Sequence, residues 1–346
     1  MSPVPIADHR SAATVADFTE RELIARIERH LPPPPAWMPV GIGDDAAVVE
    51  PERNRLQVLS VDALVEGVHF DRAFTPPSAI GHRALAVNLS DLAAMGAAPR
   101  LCLLSLALPP AWPVDEFDAM IGGLTALAAR HRVYVAGGNL TRSPGPLVID
   151  VTVSGSLKRR QVLTRAGARP GDELYVTGTL GAAAAGLQML KLNPSADASG
   201  ECARRYLFPD PRVRTGLLLG RNRAASACID LSDGLADGVH HIADRSGVGA
   251  IIEADALPIE PEARAWFGGR TADPITAAIA GGDDYELLFT ARPRERGRLA
   301  TALRQGAVPV TRIGVCTEGQ EVLMRRAAHG AVIEAPLPAA GYSHFR

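Results

Sequence analysis

The chain has 346 residues, 47% of them hydrophobic, 21% charged and 5% aromatic, with 36 Lys and Arg against 38 Asp and Glu. At ~150 residues per domain this length suits two domains, and the composition is that of a soluble globular protein. A formal net charge of −2 carries no general footprint for a nucleic acid or an anionic membrane, so neither is expected as a partner.

Residues 1–18 read as a flexible tail, without a charged segment leading into an apolar one, so no secretory signal is expected. Thr19-Glu20-Arg21-Glu22 is a capping box that opens a helix to about His30, and Pro32 to Pro35 stop it. Strands are predicted near 46–49, 56–61, 101–108, 133–136 and 147–155, and helices near 78–95 and 115–131. Gly167, Pro170 and Gly171 mark a boundary, which divides the chain into domains over 19–157 and 158–346. Beyond it, helices are predicted near 181–192, 199–207, 211–226 and 233–246, and strands near 173–177, 249–253, 286–291 and 308–315. Both halves mix strands and helices, which points to an α/β or α+β protein with mixed sheets. Cys102, Cys202, Cys228 and Cys316 stand far apart and form no Cys-x-x-Cys pair, which argues against a disulfide scaffold or a structural zinc. The most apolar stretch, Leu101 to Val114, is too short to span a bilayer. A cytoplasmic protein follows as the expectation.

The acids carry the functional signal. Asp44 and Asp45 follow Gly41-Ile42-Gly43, and Asp62 ends the apolar run Leu56 to Val61. Asp91 lies among small and apolar residues, Asp230 and Asp233 flank Leu231-Ser232, and Asp283 and Asp284 follow Gly281-Gly282. A single Asp at such a place caps a turn or a helix. The whole set, beside so much glycine, points to Mg²⁺, which takes a few carboxylates together with waters and substrate phosphates. Clustered carboxylates would otherwise repel one another.

Other motifs are weaker. Gly41-Ile42-Gly43-Asp44-Asp45-Ala46 imitates a dinucleotide fingerprint, but Ala46 to Val49 read as a strand where a helix is needed. No Gly-x-x-x-x-Gly-Lys-Ser/Thr loop and no Gly-x-Ser-x-Gly elbow occurs. Gly137-Gly138-Asn139 would let the backbone approach a ligand, and Gly178-Thr179-Leu180-Gly181 before an Ala-rich helix would seat an anion; both also read as tight turns. His69 could meet a phosphate or act as a base, and Arg165 could pair with a phosphate, although each alone reads as structural. Asn88 to Gly96 echoes Asp230 to Gly238, with Leu, Ser, Asp, Ala and Gly coinciding; two independent helix N-termini explain this at least as well as a duplicated unit.

Together, these segments resemble the thiamine-monophosphate kinase family, within the superfamily of aminoimidazole ribonucleotide synthetase. The matching segments are Gly41-Ile42-Gly43-Asp44-Asp45, Ser60-Val61-Asp62 with His69-Phe70, and Ala86 to Gly96. They continue with Leu163-Thr164-Arg165, Ile229 to Leu235, Gly281 to Leu287 and the ending Gly341-Tyr342-Ser343-His344-Phe345. The resemblance implies a two-domain fold with the site in the cleft between domains. It also implies a homodimer in which strands of the N-terminal domains meet. The implied activity is ATP-dependent phosphorylation of thiamine monophosphate to thiamine diphosphate with several Mg²⁺ ions. Carried over by position, Asp45, Ser60, Val61, Asp62, Asp91, Asn139, Asp230 and Asp233 are the metal candidates. Gly138, Asn139, Arg165 and Ser232 are the ATP candidates; His69, Asp283 and Tyr342 are those for thiamine monophosphate. Asp62, Asp91, Asp230 and Arg165 would act in the transfer itself.

Three positions depart from the family pattern. Asn139 stands where Asp is common, Asp283 where Glu is common, and Val61 where a hydroxyl residue is common, leaving only its backbone carbonyl to offer. Rival readings are a sister enzyme of the superfamily or a nucleotide-binding regulator without turnover. Against two of the sister enzymes, no Cys precedes Cys102, as a selenophosphate synthetase would want, and the sequence ends without the Cys of a hydrogenase-maturation member.

Overall fold

The structure is a computed structural model and describes residues 13–194, 200–271, 273–306, 308–328, 331–338 and 341. Thr19 caps α1 (Glu20–Arg29), accepting from the Glu22 amide while the Glu22 carboxylate takes the Thr19 amide. Four strands follow: β1 (Leu56–Val65), β2 (Ala98–Leu108), β3 (Tyr134–Arg142) and β4 (Val148–Leu157). They form one sheet in the order β1-β4-β2-β3, antiparallel except for the parallel pair β2 and β3. Helices α2 (Pro77–Ala94) and α3 (Val114–His131) pack together on one face of this sheet. The other face presents Leu59, Val61 and Leu103, which are 65%, 56% and 41% exposed.

The second half holds β5 (Glu173–Thr177), α4 (Ala182–Leu192), α5 (Glu201–Leu207), α6 (Val213–Asn222), β6 (Ala227–Asp230) and α7 (Leu235–Ser246). It continues with β7 (Gly249–Glu253), α8 (Pro261–Gly268), α9 (Pro274–Ala280), β8 (Leu287–Ala291), α10 (Arg296–Gln305), β9 (Val310–Thr317), β10 (Val322–Ala328) and β11 (Ala331–Pro336). These strands form a seven-stranded sheet, β11-β10-β7-β9-β5-β8-β6, in which only β7 and β10 pair in parallel. The protein is therefore α/β with two mixed sheets. One apolar core runs through both halves, from Leu85 and Leu92 of α2 to Leu218 and Leu219 of α6 and Phe289 of β8. That shared core explains why α2 is buried on nearly every side instead of along one stripe.

Several expectations need correction. Residues 46–49 form no strand; a single bridge joins Val48 to Val40. The helix expected over 211–226 ends at Asn222, because Arg223 turns left-handed (φ 51°) and Ala227–Asp230 is the edge strand β6. Strand β3 runs on through Gly137-Gly138-Asn139 to Arg142 instead of stopping at Ala136. Helices α8, α9 and α10 and strands β10 and β11 were not anticipated, although Asp273-Pro274 is a readable start: Asp273 accepts from the Thr276 amide at 3.2 Å.

Candidate functional site

The site forms where α2 meets β1 and the end of β6. Strand β1 runs on past the expected end at Val61 to Val65, so Asp62 lies inside it, and its amide donates to Asn88 Oδ1 of α2 at 3.0 Å. That amide faces away from β4, so the alternation of an antiparallel ladder turns the Val61 amide and carbonyl toward their partner Thr152. The Val61 side chain points out of the sheet. One residue back, the Ser60 hydroxyl donates to Asp91 Oδ2. Across the junction, the buried Ser90 hydroxyl donates to Asp230 Oδ2 at 2.8 Å. Helix α2 thus carries Asn88, Ser90 and Asp91, and each of them meets a candidate residue from another element.

Crowding shows in the protonation equilibria. Burial, and then the charge of Asp91, push Asp62 up to about 7, with Asp150 and Asp233 adding to the effect. Burial and the same Asp91 push Asp230 up to about 7, while Ser90 and Arg165 oppose the rise. Burial also raises Asp91, against the hydrogen bond from Ser60 and the charge of Arg165. Asp233 is raised by burial and by Asp237. Each shift has the sign expected of carboxylates crowded beside one another, Asp230 buried and Asp62 still open to solvent on one side. Arg165 is itself exposed, yet its charge reaches both Asp91 and Asp230.

The loop 281–285 completes the floor. The Asp283 amide donates to the Ser232 carbonyl at 2.7 Å, and the Tyr285 amide to the Leu231 carbonyl at 3.0 Å. Asp283 thereby stands near Asp233, which feels its charge. Gly341 packs against the Asp233 carbonyl and Asp237; Tyr342 lies outside the described residues.

The fold does not bring every candidate to this junction. Asp45 lies in an exposed loop, its amide accepted by Asp44 Oδ1, and among the described residues no hydrogen bond or ion pair joins it to Asp62, Asp91 or Asp230. That loop and Gly138 and Asn139 belong to the β3 edge: a Cβ at Gly41 would lie 4.0 Å from the Ala136 carbonyl. The β3 edge is three strand positions, ~14 Å, from β1. Gly138 serves its neighbour, since a Cβ there would lie 1.8 Å from the Leu104 carbonyl oxygen of β2. Asn139 pairs with Ser105, which in turn pairs with Asp150. His69 follows β1 in a turn, with Nδ1 accepting from the Val65 amide at 3.0 Å. The expected anion seat before α4 is taken by the chain itself: Asp284, fully buried, accepts from the Gly181 amide at 2.8 Å.

Sequence reasoning missed four participants. Asp150 was hidden in a β-branched strand, where a lone acid among Leu147 to Val153 was the available signal. Asn88 and Ser90 stood in the quoted segment without an assigned role. Arg83, buried on α2 and ion-paired to Asp283 at 3.0 Å, had no local signal.

The donors are hard carboxylate and hydroxyl oxygens, and their mutual repulsion is what a cation would relieve, so the residues fit Mg²⁺. Among the described residues, no group of three or more His, Cys, Asp or Glu side chains is gathered closely enough to hold a metal ion by itself. Mg²⁺ takes few protein carboxylates and completes its shell with waters and substrate oxygens.

Comparisons with known proteins place the fold. The AIR synthase related protein N-terminal domain family matches residues 43–157, and the corresponding C-terminal domain family matches residues 169–325. Thiamine-monophosphate kinase of Bacillus subtilis is 35% identical over 320 residues, covering 89% of this chain and 94% of its own. The structure of thiamine-monophosphate kinase from Stenotrophomonas maltophilia aligns with a TM-score of 0.77 at 40% identity, covering 91% of this chain and 98% of that one. That of AaThiL complexed with AMPPCP and TMP aligns with a TM-score of 0.73 at 32% identity, covering 97% and 100%.

Proposed function

The chain belongs to the AIR synthase related family and, within it, to the thiamine-monophosphate kinases, and we propose that it makes thiamine diphosphate by direct in-line transfer from ATP to thiamine monophosphate at the α2 junction. The observation that carries this reading is the approach of Asp62, Asp91 and Asp230 from three distant segments, with Asp62 and Asp230 each pushed up to about 7 by burial and then by the charge of Asp91.

The acceptor is a phosphate oxygen, nucleophilic without a strong base, so the obstacle is to bring two anions together. When bound, Mg²⁺ supplies the positive charge that permits this approach. Asp62, Asp91, Asp230 and Asp233 would hold it, with Ser60 and Ser90 orienting the carboxylates they bond. Arg165, whose charge already reaches Asp91 and Asp230, would bind on the ATP side, beside Ser232. Asp283 and His69 would hold thiamine monophosphate, as would Tyr342. Positioning and charge stabilisation suffice for such a transfer, and no covalent enzyme intermediate is required. Asp45, Gly138 and Asn139 remain candidates by position in the family pattern, on the β3 side, whereas the Val61 carbonyl faces the β4 ladder and not the junction.

The same reading includes a homodimer formed through the uncovered face of the four-stranded sheet. Exposed Leu59, Val61 and Leu103 on that face support it. It also includes two domains divided near residue 158, and a cytoplasmic location, which the four free, buried cysteines suit. Among the described residues, no helix is long and apolar enough to cross a membrane.

The test is incubation of the purified protein with ATP, Mg²⁺ and thiamine monophosphate. Thiamine diphosphate and ADP should form in equal amounts. A folded sample that binds ATP but makes no diphosphate would reject the reading in favour of a regulator.

A further inference from the structure

Asp283 is held from two sides by residues outside the expected site. Arg83 of α2 is 1% exposed. Its Nη2 donates to Asp283 Oδ2 at 3.0 Å, its Nη1 donates to the Tyr206 carbonyl, and its guanidinium lies 4.4 Å above the Tyr206 ring. The Tyr285 hydroxyl donates to the other carboxylate oxygen, Asp283 Oδ1, at 2.9 Å. Both Asp283 (φ 67°) and Tyr285 (φ 49°) are left-handed. Non-glycine residues keep that conformation only where surrounding contacts over-determine it.

An arginine placed only to neutralise Asp283 would need one contact. This one uses its planar fork on two acceptors and its face on a ring, which fixes its own position first. Each carboxylate oxygen of Asp283 then has one donor, and each retains a free acceptor site. The Asp283 side chain remains 31% exposed, so the carboxylate is both immobilised and accessible. Asp283 is also the position where the family pattern has a longer Glu, and a shorter side chain depends more on where its backbone and oxygens are held.

We infer that Arg83 and Tyr285 are positioning residues that clamp the Asp283 carboxylate for thiamine monophosphate, Arg83 doing so from the opposite half of the molecule. The inference rests on the function proposed above. Its chemical content is that a hydrogen-bond donor or cationic group of the substrate meets an oriented anion instead of a mobile one.

The experiment is a steady-state comparison of Arg83→Lys, Tyr285→Phe, Asp283→Asn and the double variant Arg83→Lys/Asp283→Asn. Lysine keeps the charge and loses the fork. Its KM for thiamine monophosphate should rise about tenfold, the scale of one hydrogen bond to a charged group, with the KM for ATP unchanged. Tyr285→Phe removes only a hydroxyl and should raise the same KM about threefold; it carries the test if Arg83→Lys fails to fold. The double variant should lose little beyond Asp283→Asn alone, because Arg83 acts through Asp283. Losses that multiply in the double variant overturn the clamp. So does a KM for ATP that rises in step, or a Tyr285→Phe enzyme with an unchanged KM for thiamine monophosphate. A wild-type protein that makes no thiamine diphosphate instead overturns the proposed function, so the two failures are distinguishable.

Discussion

Asn88-Leu89-Ser90-Asp91 and Asp230-Leu231-Ser232-Asp233 are close in spelling and opposite in structure. The first lies inside the buried helix α2. The second runs from the end of strand β6 to the start of α7. In the first, Ser90 and Asp91 point across the junction, to Asp230 and Ser60. In the second, Ser232 and Asp233 bond each other, at 3.4 Å, and the backbone carries the 281–285 loop. The two segments touch through Ser90 and Asp230, so the echo marks a meeting point, not two separate caps. Helix geometry lets one segment aim its polar side chains outward to several partners, whereas a strand end offers one buried acid and free backbone groups.

Substitutions can break that comparison at increasing subtlety. Asp91→Asn and Asp230→Asn remove charge at the meeting point and should each lower kcat/KM for thiamine diphosphate formation about 10³-fold. Asp233→Asn, on the outer end of the second segment, should cost about 10- to 100-fold. Steady-state assays at saturating Mg²⁺ would check both. Equal losses at all three positions would erase the distinction drawn between the two segments.

Ser90→Ala should raise the Mg²⁺ concentration needed for half-maximal rate about tenfold, since Ser90 orients a candidate ligand from the other half. Ser232→Ala should move the KM for ATP instead. A Mg²⁺ titration of both variants separates the roles, and a shift in the metal requirement of Ser232→Ala alone would reverse them.

The smallest effect concerns pH without metal. Asp230 is raised to about 7 in the folded chain from an ordinary 3.8. Between those values the folded state holds a proton that the unfolded chain has released, so this group's contribution to stability falls as pH rises through the window. Asp230→Asn has no such penalty. Its Tm advantage over the wild type in EDTA should therefore grow from pH 5 to pH 7.5, and Mg²⁺ should shrink it by stabilising the wild type. A Tm difference independent of pH would mean that Asp230 is not held protonated.

Much of the local structure was legible because its causes are local. The Thr19 capping box formed as read, and the β-branched-rich run Val148 to Val153 lies in β4. The missed elements had reasons beyond their own residues. Ala46 to Val49 have strand composition, yet Ala47 and Val49 pack by their side chains against Met38, Tyr134 and Ala136 while the backbone makes only the single bridge from Val48 to Val40. Gly178 to Gly181 does open a helix, but its anion seat is filled by Asp284, about a hundred residues later. Arg83 had no readable signal, because a lone arginine in a helix reads as a solvated face until packing buries it.

The residues alone determined that Asp44, Asp45, Asp230, Asp233, Asp283 and Asp284 stand at a strand end or in glycine turns, and the order of the motifs determined the family. Only the tertiary structure decided which acids are neighbours. Asp62, Asp91 and Asp230 come within reach of one another's charge because α2 packs against both β1 and β6 and turns Asn88 and Asp91 toward the first and Ser90 toward the second. Asp45, with an equally suggestive glycine setting, is left on the far edge. Strand order and helix docking set those distances, and both arise from nonlocal burial that no short stretch of sequence specifies.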